Sequence, residues 1–307
     1  VTAPRGIPGD LDPEGLLPRF VAANRWLGHR LEVRGETGST MDDARRAAEA
    51  GAPAGCLCVA DAQRQGRGAR GRSWSSPGAT DLYLSFVLRP APATWPRLPL
   101  TALAAGLGVA DAVDQLLGGR RSSVRWPNDV LVTAPGLPAP GGKCAGVLVE
   151  SVSTGGRVDA VVVGVGLDLN RTAFPGELEG VATSLRLARA ARAGAASGGD
   201  RGLPSPQAPP FPRGDALLVL TQALEGRLDQ LFPGADGTGD PETAGVDALL
   251  ADLAPRLAYR GQRVAVEAGT RGTLMGLDPD GALRLRADPP GEGMVRVTAG
   301  RVRPLPG

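Results

Sequence analysis

The stretch Trp126-Pro127-Asn128-Asp129-Val130-Leu131-Val132, then Lys143-Cys144-Ala145-Gly146-Val147-Leu148-Val149-Glu150 and Thr154-Gly155-Gly156, carries the fold of this chain. Apolar runs at about 122–126, 129–133, 144–153 and 157–168 read as strands. A Pro-Asn turn joins the first two, and Thr154-Gly155-Gly156 is a hairpin signal between the last two. Upstream, Leu82, Leu84, Phe86 and Leu88 alternate with Tyr83, Ser85 and Val87, which is a further strand, and a short apolar run fills 55–60. Helical spacing predicts a helix over 11–27 opened by Asp12 and Pro13. Ser39 or Thr40 caps another, with Asp42 and Asp43 in its first turn and Gly51 as its stop. A long Ala/Leu helix over 98–117 ends at Gly118-Gly119, and helical spacing returns at 213–232 and about 241–258. From Gly261 the pattern is short strands split by turns at Asp278-Pro279-Asp280-Gly281 and Pro289-Pro290-Gly291, which predicts a small all-β barrel as a second domain. The fold class is therefore α+β. Residues 134–142 and 187–214, poor in complexity, read as surface insertions that need not pack.

Composition narrows the function. The chain has 307 residues with 34 Lys plus Arg against 32 Asp plus Glu, a formal charge of +2. That balance argues against holding nucleic acid by bulk charge. With 45 Gly and 28 Pro the chain is heavily punctuated, yet 42% of it is hydrophobic, so a sizeable core is available. Cys56, Cys58 and Cys144 cannot all pair, which points to a reducing cytoplasm. The lone His29 leaves no histidine-based zinc set or triad. No run approaches the ~18 consecutive apolar residues of a membrane span. No basic-then-apolar leader opens the sequence, and the expectation is a soluble, intracellular protein.

Two features could carry chemistry. The loop Gln63-Arg64-Gln65-Gly66-Arg67-Gly68-Ala69-Arg70-Gly71-Arg72-Ser73-Trp74 sets arginines among glycines. Glycines let backbone N–H groups approach an anion and guanidiniums supply forked donors, a combination suited to polyphosphate. A flexible Arg/Gly linker or RNA-binding tail has the same composition, but an internal position between two strands favours a ligand loop. No Gly-Lys-Ser/Thr loop is present, and the Gly-x-Gly-x-x-Gly string formed by Gly66, Gly68 and Gly71 does not open a helix in a βαβ unit. The second feature is Lys143, the one lysine among 34 basic side chains. It is either what substitution bias left behind or a place where a compact ammonium is required and a guanidinium does not fit.

Taken in series, Ser39-Thr40, the Gly/Arg loop, Trp126 to Asp129, Lys143 to Glu150, Gly164-Val165-Gly166-Leu167-Asp168-Leu169-Asn170, Ala182-Thr183-Ser184-Leu185 and the β tail resemble the biotin protein ligases over about 35–307. The resemblance implies a mixed-sheet catalytic domain over 1–257, of the type shared by class II aminoacyl-tRNA synthetases and biotin–lipoate ligases. An SH3-like β-barrel over 258–307 would follow it. It implies that biotin is activated by ATP and Mg2+ to biotinyl-5′-AMP and passed to a lysine of a biotin carboxyl carrier protein, of acetyl-CoA carboxylase or another biotin-dependent carboxylase. Lys143, Arg67 and Asp129 would be catalytic. Ser39, Thr40, Gln63, Gly66, Arg67, Lys143 and Gly146 would bind biotin. Arg70, Arg72, Trp74, Asn128, Asp168 and Asn170 would bind the nucleotide, and metal ligands are not assigned. Relatives form dimers, and some carry an N-terminal DNA-binding winged helix. Only 38 residues precede Ser39 here, so the expectation is a cytoplasmic ligase that binds neither DNA nor membrane.

Two positions depart from the family pattern: Ala69 replaces an arginine of the loop, and Asp168 stands where an asparagine is usual. An ionised Asp168 beside phosphate would be unfavourable, so either it points away or Asn170 takes over. A lipoate or octanoate ligase or transferase shares the architecture and is the alternative within enzymes. An RNA-binding module built on the Arg/Gly loop is the alternative outside them.

Overall fold

The computed structural model describes residues 9–137, 140–196, 208–233, 245–267, 269–288 and 293–305. The chain enters on α1 (Pro13–Ala23), whose first-turn N–H groups, from Glu14 and Gly15, donate to the Asp12 carboxylate. Strand β1 (Arg30–Thr37) runs parallel to β2 (Cys56–Gln63), and α2 (Thr40–Glu49) makes the crossover that a parallel pair requires. Strands β3 (Leu82–Leu88), β4 (Ser122–Arg125), β5 (Asp129–Val132), β6 (Gly142–Thr154) and β7 (Arg157–Leu167) add antiparallel pairs. The result is a seven-stranded mixed sheet in the order β1-β2-β3-β7-β6-β5-β4.

Period-2 alternation sorts the strand residues onto two faces. Leu57, Val59, Leu84, Phe86, Val163 and Val165 enter the larger core, shared with α3 (Thr101–Leu117) and α5 (Arg213–Leu231). The residues between them, Cys56, Cys58, Val87, Ala160 and Val162, pack with Met41, Ala44, Ala47 and Ala48 of α2. Further along this second face come Ser85, Gly164 and Gly166, joined by Gly146 of β6. These residues are too small to fill the layer, and the space they leave is a cavity of about 670 Å³.

The C-terminal strands β8 (Arg263–Val266), β9 (Arg271–Leu277), β10 (Leu283–Ala287), β11 (Met294–Val297) and β12 (Val302–Pro304) form an antiparallel sheet in the order β11-β10-β9-β8-β12. Its edge strands β11 and β12 are not paired with each other among the described residues. Val264, Leu274, Leu285 and Val302 join the larger core, and the Trp126 indole N–H donates to the Gly281 carbonyl at 2.9 Å.

Two expectations change. The helix expected from Leu98 begins at Thr101, because Pro92, Pro96 and Pro99 hold the preceding turns as a 3-10 helix. The segment expected to be unpacked from 187 onward opens inside helix α4 (Leu185–Ala196). Leu185 and Ala188 are buried there, and Arg189 stacks on Phe211 with 3.8 Å between guanidinium carbon and ring centroid. Ala, Leu and Arg are strong helix formers, and a low-complexity composition hid that preference. Residues 197–207, like the Pro289-Pro290-Gly291 turn, lie outside the described residues. Pro92–Leu117 contains an 18-residue window with a mean hydropathy of 1.4, and 72% of that window is buried inside the fold, as in a core helix.

Helices α3 and α5 meet backbone to backbone at Gly108, where a Cβ would lie 2.9 Å from the Ala223 carbonyl oxygen and 3.0 Å from Leu224 Cα. Gly106, one half-turn away, would place a Cβ at an ordinary 3.5 Å from Val124. Gly108→Ala is therefore expected to destabilise by about 1–3 kcal/mol. Gly106→Ala should be neutral or stabilise by up to about 1 kcal/mol. Urea midpoints of the two variants check both, and equal midpoints would contradict this account of the α3–α5 contact.

Candidate active site

The register of β5 on β6 puts the chemistry on one face. Asp129 opposes Gly146 and Leu131 opposes Lys143, with a register shift between Val130 and Leu131. Cys144 and Ala145 are consequently both buried in the core, while Lys143 and Gly146 on either side of them line the cavity. Lys143 Nζ lies 2.5 Å from Asp129 Oδ1, and Arg125 holds the other carboxylate oxygen at 2.6 Å. Burial by itself would raise the Asp129 carboxyl, but Lys143 and Arg125 outweigh it and hold the group below its ordinary range. Burial pushes the Lys143 ammonium down, and Asp129 opposes that shift. Lys143 also stands over the Trp74 ring, 4.9 Å from its centroid. Its side chain keeps 19% exposure, enough to meet a ligand without leaving the carboxylate.

Neutral donors and acceptors gather near the N-terminus of α2. Gln63 Oε1 accepts from the Thr40 backbone N–H at 2.9 Å and from its hydroxyl at 3.2 Å, and Gln63 Nε2 donates to Ser76 Oγ at 2.8 Å. The Thr40 and Ser85 hydroxyls are 2.8 Å apart. Ser39, 1% exposed, starts α2 without capping it, and its buried hydroxyl has no partner. An unmet buried hydroxyl beside a cavity is a place for a ligand's hydrogen bond.

The Gly/Arg loop covers the cavity. Arg67 lines it while paired with Asp42 at 2.8 Å and Glu150 at 3.3 Å. Arg72 lines it too, its Nε donating to the Ala69 carbonyl at 3.2 Å. Trp74 lies flat on the glycine floor: a Cβ on Gly166 would come within 2.5 Å of the indole, and one on Gly146 within 3.0 Å. The indole N–H is buried without a partner. Asn128 also lines the cavity, its amide tied to the Val147 carbonyl at 2.6 Å.

Three residues expected at the site are placed elsewhere. Arg70, at φ 61°, turns away from the main cavity to pair with Glu267 of the C-terminal sheet. Gly66 is needed by the loop itself, since a Cβ there would lie 2.4 Å from the Trp74 carbonyl oxygen and 2.6 Å from Ser76 Oγ. Asn170 spends both ends of its amide on the Phe211 backbone, at 2.9 and 2.7 Å, and does not line the cavity.

Asp168 does line the cavity, at 4% exposure. Burial first, then the fully buried Asp81 carboxylate, raise its carboxyl well above the ordinary range, against Arg171 at 3.5 Å. Arg171 is itself committed to Asp81 at 2.8 Å. Burial thus favours the protonated form of Asp168, which presents an O–H donor beside an acceptor oxygen, as an asparagine amide presents a donor beside its carbonyl. That bias eases the conflict between a carboxylate and phosphate. Sequence reasoning missed Arg125, Arg171 and Arg301. The first two gave no local signal beyond charge, and Arg301 reaches the cavity from the far end of the chain.

Neutral hydrogen-bonding groups at one side, an ammonium and guanidiniums at the centre, and a flat floor under an indole suit a substrate with a polar neutral head, an anionic middle and a planar ring. Among the described residues no three His, Cys, Asp or Glu side chains cluster to hold a metal. The donor set instead fits a magnesium ion carried mainly by substrate phosphates and water.

A profile of the Biotin/lipoate A/B protein ligase family matches residues 37–168. The Mycobacterium tuberculosis protein named biotin–[acetyl-CoA-carboxylase] ligase is 32% identical over 298 residues, covering 95% of both chains. The Bacillus spizizenii bifunctional ligase/repressor BirA is 32% identical over 180 residues, 58% of this chain and 52% of that protein. The chain thus spans about half the length of that relative. In structure, the biotin protein ligase from Aquifex aeolicus, solved with biotin and ATP, aligns with a TM-score of 0.65 at 25% identity, covering 89% of this chain and 97% of its own.

The raised Asp168 carboxyl has a stability signature. Unfolded, the group titrates near 3.8; folded, it titrates higher, so above 3.8 the folded chain holds more protons than the unfolded one. The stability contributed by this group is complete below 3.8 and is lost as pH rises through the folded value. Asp168→Asn should therefore gain stability over wild type at pH 8 relative to pH 5.5, as read by urea denaturation. A difference independent of pH would mean that Asp168 is ionised in the fold.

Proposed function

The chain belongs to the Biotin/lipoate A/B protein ligase family, as one of its biotin protein ligases, and from that premise we propose that it activates biotin with ATP and transfers it to a carrier lysine. In the first step a biotin carboxylate oxygen attacks the α-phosphorus of ATP, the bond to the bridging oxygen breaks, and pyrophosphate leaves. In the second, a lysine amine attacks the acyl carbon of the mixed anhydride, the acyl–oxygen bond breaks, and AMP leaves.

Both substrates of the first step are anions, so the barrier is largely electrostatic and the residues needed are positioned cations. Lys143 meets the biotin carboxylate and the α-phosphate. Asp129 and Arg125 hold its ammonium in place, and Asp129 does not act as a free base while two cations hold it ionised. Ser39, Thr40 and Gln63 take the ureido head, with the unpartnered Ser39 hydroxyl as the open position. Arg67 and Arg72 turn to phosphate oxygens, Arg67 giving up surface carboxylates that hold it weakly. Trp74 walls the adenine over Gly146 and Gly166, and Asn128 and Asp168 supply polar contacts to the nucleotide. Magnesium entering with the nucleotide would supply further charge neutralisation of the phosphates. The acceptor is a biotin carboxyl carrier protein, as the name of the Mycobacterium relative implies. The observation that carries this reading is the single lysine, buried against Asp129 and Trp74 in a cavity with neutral hydrogen-bonding groups at its other side.

Transfer of labelled biotin to a carrier domain in the presence of MgATP tests it. Wild type is expected to label the carrier, and Lys143→Ala to fall by about 10²–10³. Equal labelling by the variant would refute the role of Lys143. Calorimetric binding of lipoate without binding of biotin would move the chain to the lipoate ligases. Because Lys143 is the sole lysine and is held in the site, mass spectrometry after turnover should find little internal self-biotinylation beyond the terminal amine. Extensive internal labelling would contradict this placement.

A further inference from the structure

One side chain belongs both to the core under α2 and to the cavity beside it. Met41, the second residue of α2, is 3% exposed and packs in the smaller core cluster. Of that cluster's buried residues, among the described residues, it alone also lines the cavity. Gly164 fixes its place on the sheet. A Cβ there would collide with Met41 Sδ and would lie 3.0 Å from its Cγ and 3.1 Å from Ser85 Oγ. Gly164 stands opposite Ser85 on β3 and Leu148 on β6. The thioether therefore takes the volume that a side chain on β7 would fill, and it closes the cavity beside the hydrogen-bonding groups near α2.

The other groups at this end have little freedom. The Thr40 hydroxyl is bonded to Gln63 and to the Ser85 hydroxyl, and Gly164 has no side chain. Met41, unbranched and polarisable, is the group whose length varies the room. A thioether is a weak acceptor and no donor, so it selects by shape and dispersion. Such a corner orients a head that has one polar and one apolar edge. The polar edge goes to Ser39, Thr40 and Gln63, and the apolar edge goes to Met41. Biotin has a head of this kind, with a ureido group along one edge and a ring sulfur along the other. Behind Met41 the layer is built of small side chains, Ala44, Ala47, Ala48, Cys56 and Cys58. Shortening Met41 thus opens space towards them and exposes no second large wall.

We propose that Met41 determines head-group specificity: its thioether is the wall at which the sulfur-bearing edge of the bicyclic head stops, and its length sets the largest head admitted. This rests on the biotin reading above and deepens it. A head enlarged or made polar at that edge meets an apolar wall that offers it no hydrogen bond. An apolar pocket discriminates against a misfit of one small group by about 10–200-fold.

The test compares kcat/KM for biotin and for biotin sulfone, whose two added oxygens enlarge the sulfur-bearing edge, in carrier labelling by the full chain. Wild type should prefer biotin, and Met41→Ala should reduce that preference about tenfold or more. Met41→Leu, close in volume, should keep the wild-type preference. Met41→Val, a milder truncation, should move the preference in the same direction as Met41→Ala, and it carries the test if the alanine variant does not fold. A purely structural Met41 predicts an equal fall for both compounds in the truncated variants. An unchanged ratio would therefore overturn the proposal, as would a wild type that accepts both compounds equally. If wild type forms no adenylate from biotin, the biotin reading itself fails and this proposal falls with it. If wild type labels the carrier and the ratio does not move, the proposal alone fails.

Discussion

Successive residues of a strand must point to opposite faces of its sheet, and in β3, β6 and β7 that constraint decides both the core and the site. One face is a continuous apolar layer closed by α3 and α5. The other is split between α2, which packs on Cys58, Val87 and Val162, and a region of Ser85, Gly146, Gly164 and Gly166 over which no helix of the described residues sits. A small residue on a strand costs packing energy, and four of them on one patch make sense only if something else fills the layer. In this structure Trp74 covers part of it; under the proposed function, substrate shares it.

Electrostatics then fixes what that patch can hold. An ammonium taken out of water needs a counter-charge, and Asp129 provides it. Arg125 in turn keeps that carboxylate ionised, so the cluster carries a net positive charge towards the cavity. A few residues away the opposite solution applies. Asp168 shares Arg171 with the Asp81 carboxylate, and burial together with that second carboxylate raises its carboxyl well above the ordinary range. The two aspartates that line the cavity thus differ: Asp129 is held ionised and screened by two cations, whereas Asp168 is biased towards its neutral form, and both arrangements lessen repulsion of an anionic substrate.

The Gly/Arg loop divides its arginines by partner. Arg67 faces the α2 side through Asp42 and Glu150, Arg72 faces the cavity, and Arg70 reaches across to Glu267. Its glycines also differ in purpose. Gly66 allows the loop to fold on itself, whereas Gly146 and Gly166, in the sheet below, allow the indole to lie flat. A loop of this kind is held by exposed ion pairs that anionic ligands can replace at small cost.

The sequence by itself determined most of the strands and helices, though neither strand β1 nor helix α4, because alternation at period 2, caps, Gly stops and the Gly-Gly hairpin are local signals. It also determined the candidate lysine, because a single ammonium among guanidiniums is visible in a count. It could not decide how a buried charge is balanced. Arg125, Arg171 and Arg301 look like any other arginine in the chain, and Asp168 like any other aspartate, until folding brings Asp129, Asp81 and the cavity beside them. Helix α4 was hidden by composition, and Asn170 was misplaced because its neighbours in sequence line the cavity while its amide turns to Phe211. Covalent order sets what a residue can do, but desolvation and long-range pairing set which of those things it does, and both exist only once the sheet is assembled.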